Sequence, residues 1–120
     1  MESELKISSQ MLKGILEGCI LIVISRETVY GYEMNKKLQA FGFSPLSEGT
    51  IYPLLLKLQN KGLIESEQRL SPDGPKRKYF SLSDTGQVEC ERFIQQWRIL
   101  RHSVDQLIEG GGSSDEGTNS

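Results

Sequence analysis

The chain has 120 residues, 37% of them hydrophobic, with 14 Lys and Arg against 16 Asp and Glu. That suits one small domain with a modest core, some of whose apolar surface a partner chain could complete. The longest apolar run, Cys19 to Ile24, is far short of the roughly 20 residues a membrane span needs. Glu2 and Glu4 ahead of it are foreign to a signal peptide, so no membrane partner is expected and the cytoplasm is the expected compartment.

Residues 1–7 are polar. From Ser8 or Ser9, both suited to cap a helix, Leu12, Leu16, Cys19, Ile20 and Val23 recur at helical spacing, widened by Ile15 and Ile22. A helix this apolar is buried on more than one side. Ser25 to Thr28 break it, and a second helix is expected from near Tyr30, with Tyr30, Met34, Leu38 and Phe41 on its core face. Gly42 is a natural stop. Ser47 then caps a third helix with a core stripe of Ile51, Leu54, Leu55 and Leu58, ending at Lys61-Gly62. Pro53 would crowd the carbonyl four residues back, at Gly49, so a bent or tightened first turn is expected.

Two short strands follow, one running from Leu63 to about Leu70 and one from about Lys76 to Leu82, with Phe80 and Leu82 inward. Ser71-Pro72-Asp73-Gly74 between them carries the residues a type I turn favours. Ser83 or Asp84 caps a final helix to about Glu109. Its residues Phe93, Trp97, Leu100, Val104 and Leu107 are spaced 4, 3, 4, 3, the seam of a helix that packs lengthwise on others. Residues 110–120 form a polar, acidic tail expected to be disordered. The fold class is therefore mainly α with a small β-hairpin wing. Residues 8–82 make a winged helix-turn-helix and 83–109 a long C-terminal dimerisation helix.

Catalysis finds no support. His102 stands alone, no glycine-rich nucleotide loop precedes a helix, and Cys19 and Cys90 are too far apart in sequence to suggest a metal site. No cofactor is expected. Both cysteines lie in helical patterns and read as small core or interface residues. Charge is more informative. The chain carries no cation after Arg101, whereas residues 30–80 hold eight cations against five acids. Slight overall acidity thus does not exclude a polyanionic partner.

The third helix is the natural reading element of a helix-turn-helix. Its core stripe leaves Thr50, Pro53, Lys57 and Lys61 on the other side, with Ser47 and Tyr52 at its N-terminal turn, where free amides can bond phosphate. Tyr32, near the start of the preceding helix, offers a hydroxyl to the backbone. At the wing, Lys76, Arg77 and Lys78 meet phosphate, and Tyr79 alternates outward with Arg77. An ordinary amphipathic core helix would show the same stripe, but it would not explain the hydroxyl residues crowded at its start.

LKGILEGCIL (12–21), YGYEM (30–34), EGTIYPLLLKLQNKGLIE (48–65) and GPKRKYFSLSDTG (74–86), followed by the helix bearing Trp97, resemble the PadR family of bacterial transcriptional regulators. The resemblance covers roughly residues 8–108 and fits the short subfamily with one C-terminal helix. It implies a homodimeric repressor of a double-stranded DNA operator, relieved by a small molecule. It also implies a dimer interface in which the last helix meets the partner's first and last helices: Leu12, Leu16, Ile20, Phe93, Trp97, Leu100, Val104 and Leu107. Trp97 matches the position that stacks flat aromatic ligands in drug-sensing members, so a small aromatic effector is expected there. Family members often carry an aromatic in the first wing strand, where this chain has ESEQRL (65–70). The alternative is a winged-helix protein-interaction module without specific DNA binding.

Overall fold

A computed structural model describes residues 6–110; the tail expected to be disordered lies outside the described residues from 111 onward. The elements in order are α1 (Ser9–Lys13), α2 (Leu16–Arg26), β1 (Val29–Tyr30), a 3-10 turn (Gly31–Glu33), α3 (Met34–Gln39), α4 (Glu48–Asn60), β2 (Ile64–Leu70), β3 (Lys76–Leu82) and α5 (Asp84–Ile108). Contact density divides the chain into two compact units, residues 1–90 and 91–120. The first holds the helix-turn-helix, the sheet and the start of α5; the second holds the rest of that helix.

The three strands form one antiparallel sheet in the order β1-β3-β2. Val29 pairs with Phe80 and Tyr30 with Tyr79, while β2 runs against β3 from Ile64↔Leu82 to Leu70↔Lys76. Tyr30 is therefore a strand residue and does not begin a helix. The β-branched and aromatic residues Thr28, Val29 and Tyr30 suit a strand, and β3 offers them an otherwise open edge. The β2–β3 turn closes as expected, with the Gly74 amide donating to the Ser71 carbonyl at 3.0 Å.

The expected first helix is two. Gly14 ends α1, its amide bonding the Leu12 carbonyl, and Ile15 sits off helical geometry before α2 resumes. A glycine costs a helix interior about 1 kcal/mol relative to alanine, enough to favour a break there. Leu12 and Leu16 are buried and Ile20 is fully enclosed, packed into the chain's own core. Leu12 and Leu16 also line an open hollow together with Leu46, Thr50 and Leu54. The expected core place of Phe41 is corrected: α3 stops at Gln39, and Phe41 is 67% exposed beneath the Arg26 guanidinium. Cys90 is buried and Cys19 half-buried, and burial pushes the Cys19 thiol above its ordinary pKa.

Ser83 joins the end of the sheet to α5. Its hydroxyl donates to the Gly62 carbonyl (2.6 Å) and accepts from the Gly86 amide (3.0 Å), capping the helix. Gly86 is buried so closely beneath this joint that a Cβ there would collide with the Leu63 carbonyl. Because that neighbour is backbone, it cannot rotate away. Gly86→Ala is expected to cost about 1–3 kcal/mol or more by overpacking, visible as a thermal midpoint lowered by several degrees.

Candidate nucleic-acid interface

α4 is built for presentation at its N-terminus. Ile51, Leu55 and Leu58 are buried, which turns Gly49, Pro53 and Leu56 toward solvent, with Tyr52 half-exposed beside them. The Ser47 carbonyl accepts from both Thr50 (2.9 Å) and Ile51 (3.1 Å), a tightened first turn of the kind expected ahead of Pro53. Ser47 Oγ and Thr50 Oγ1 lie 3.0 Å apart at this end, both residues exposed. Glu48 stands in the first turn, where a carboxylate favours the positive end of the helix dipole.

The wing lies beside that turn. Strand alternation puts Leu82, Phe80, Lys78 and Lys76 on one face of β3, and Arg77 and Tyr79 on the other. Phe80 is enclosed in the core. Lys78, two residues on, reaches out with its Nζ 5.6 Å from the Phe80 ring and 6.0 Å from the Tyr52 ring. Tyr52 in turn stacks on Tyr32, with centroids 6.3 Å apart and planes 11° from parallel. Tyr30, Tyr32, Tyr52, Lys76, Arg77 and Lys78 thus line one cleft of about 220 Å³ between the helix-turn-helix and the wing. Three cationic and three tyrosine side chains around one concavity suit a phosphate backbone.

The other face of the wing is tied up internally. Arg77 bonds Asp73 (3.0 Å) and lies over the Tyr30 ring, while Arg69 bonds Glu67 (2.6 Å) and lies over Tyr79. Arg69 and Arg77 are direct cross-strand partners, and their acids and rings relieve the repulsion. Lys76, Arg77 and Lys78 all line the cleft, and Arg77 alone of the three has an acid within ion-pair distance among the described residues.

A family model described as the transcriptional regulator PadR-like family matches residues 20–92. The chain belongs to that family. A PadR-like transcriptional regulator from Bacillus cereus is similar at 51% identity, over 84% of this chain and 98% of its own, with a TM-score of 0.77. A Streptococcus transcriptional regulator is similar at 46% identity over 83% and 98% of the two chains, with a TM-score of 0.75. The family and these neighbours are transcriptional regulators and not enzymes, which makes DNA the expected partner. Among the described residues no group of side chains could hold a metal ion, and no helix is long and apolar enough to cross a membrane.

Within this PadR-family regulator, two polar residues outside the expected site position the reading helix. Asn35 on α3 donates to the Leu46 carbonyl (2.5 Å) and accepts from the Leu46 amide (3.0 Å), anchoring the segment that leads into α4. Nothing in the sequence distinguishes Asn35 from an ordinary polar residue. Glu17 on α2 bonds Lys57 (2.9 Å) and Lys61 (3.3 Å), which lie four residues apart on one side of α4. Burial pushes the Glu17 carboxyl up, but hydrogen bonds and charge from the two lysines outweigh it and hold the group below its ordinary value of 4.5. Lys57 and Lys61 therefore face α2 and are not part of the cleft.

Asn35→Ala leaves the Leu46 amide and carbonyl without these partners, and is expected to lower stability by about 1–3 kcal/mol in denaturant titration. DNA affinity should fall further than Tm alone implies, because the start of α4 loses its anchor.

Proposed function

We propose that the chain is a homodimeric, sequence-specific repressor, released from its operator by a small aromatic molecule held at Trp97. The observation carrying the DNA part is the cleft in which Tyr32, Tyr52, Lys76 and Lys78 meet beside the N-terminus of α4. In this reading Ser47, Thr50, Tyr52 and Pro53 address the major groove, and Lys76 and Lys78 take flanking phosphates. Arg77, at the cleft and paired with Asp73, and Tyr79 stiffen the wing.

Dimerisation rests on α5. Trp97 (41%), Leu100 (52%), Val104 (42%) and Leu107 (78%) are exposed along the helix at the 3-4-3 spacing that seats one helix against another. Such a stripe is stabilised by covering it with a second copy. An indole inside that stripe is a flat surface for an aromatic ligand, and its fluorescence reports occupancy. Occupation of a promoter by the dimer would exclude polymerase, which is repression in its simplest form.

Footprinting on the DNA upstream of the gene is expected to show two protected half-sites about one helical turn, roughly 34–36 Å, apart. In the same binding assay, Lys76→Ala with Lys78→Ala should weaken binding to every sequence and flatten the salt slope by about 0.9 per lost phosphate contact. An unchanged slope removes the wing from the DNA contacts, and no protected site at moderate salt favours a protein-interaction module.

Leu100→Lys with Val104→Lys is expected to give a folded chain that sediments as a monomer. Its operator affinity should fall by about 10²-fold or more, since two linked reading heads gain that much from avidity.

A further inference from the structure

Glu17 has a role that the cleft alone does not explain. We propose that it is a built-in counter-ion for the reading helix, holding Lys57 and Lys61 off DNA phosphate and thereby suppressing binding to non-target sequence more than to the operator. The inference rests on the DNA-binding reading above.

The geometry is specific. One carboxylate oxygen of Glu17 takes Lys57 and the other takes Lys61. The acid is the more enclosed partner, its side chain 30% exposed against 56% and 49% for the lysines. The lysines therefore have solvent-facing room to swing, and the acid does not. Lys57 lies one helical turn beyond Pro53, at the border of the face that α4 turns to solvent. Freed, both ammonium groups would flank a duplex seated on that face.

Charge distribution across the molecule follows the same division. Of the eight cations between residues 30 and 80, Lys37, Lys57, Lys61, Arg69 and Arg77 each have an acid within ion-pair distance. Lys36, Lys76 and Lys78 have none among the described residues, and of these three Lys76 and Lys78 stand at the cleft. Phosphate attraction is blind to sequence and dominates non-specific affinity. A lysine that must leave Glu17 before it can bond phosphate adds little to that attraction, while the hydroxyl contacts of Thr50 and Tyr52 do not depend on the exchange. Holding two cations back thus widens the ratio of operator to random binding.

The test uses the full chain as wild type, Glu17→Gln, Lys57→Ala with Lys61→Ala, and the triple variant. Each is titrated against the footprinted operator and a random duplex of equal length over a salt series. Glu17→Gln should bind the random duplex several-fold tighter, steepen its salt slope by about 0.9 for each lysine released, and lower the operator-to-random ratio. The double alanine variant should keep the wild-type slope, and the triple variant should return to it. A wild-type slope and ratio in Glu17→Gln overturns the proposal. So does a flattened slope in the double alanine variant, which would mean that the lysines already touch phosphate. A purely structural Glu17 would lower Tm and weaken both duplexes together at constant slope, which also overturns it. Failure to find an operator removes the repressor reading alone, because the random duplex still measures the Glu17 effect. Absence of binding to either duplex removes both.

Discussion

The ring of Phe80 is the contact on which the DNA face depends. It is fully enclosed in the middle of β3, paired with Val29 on one side and Ser66 on the other. Its edge would lie 3.0 Å from a Cβ placed at Gly31, and Leu55 of α4 closes in at the same point. Gly31 is therefore a requirement of packing, since any side chain there would push the 3-10 turn away from the ring. Because β3, the turn carrying Tyr32 and the helix carrying Tyr52 all meet at this ring, the wing and the reading helix are set at a fixed spacing. Burying an aromatic of this size contributes about 1.5–3 kcal/mol, but its larger consequence is positional.

Charge is layered on that frame with a division of labour. The face of β3 that continues outward from Phe80 ends in Lys78 and Lys76, which point at the cleft. The opposite face pairs each arginine with an acid and an aromatic ring, so its cations stiffen the hairpin. Along α4, Glu17 makes the same choice for Lys57 and Lys61. A slightly acidic protein thus gathers cations in the cleft, where charge and shape coincide. Individually these exposed pairs add little stability, and their weight lies in deciding which cations remain free.

Much of the architecture was legible because local physics agreed with the tertiary outcome. The turn Ser71–Gly74, both ends of β3, the cap at Ser83 and the tightened turn before Pro53 all follow from residue types whose preferences act over a few positions. Errors arose where a distant neighbour decided. Tyr30 carries a helical pattern in sequence, yet the open edge of β3 drew it into a strand. Phe41 sits at a core spacing that holds only while α3 continues, and α3 stops.

By itself the sequence determined the order of the main helices and of the β2–β3 hairpin, the family and the placing of cations at a turn, since periodicity, capping and turn chemistry are short-range. Only the tertiary structure decided which cations are available. Asp73 within reach distinguishes Arg77 from Lys76 and Lys78, and the placing of Glu17 beside α4 gives it Lys57 and Lys61, 40 or more residues away in sequence. An ion pair depends on distance in space, and no spacing along the chain encodes it.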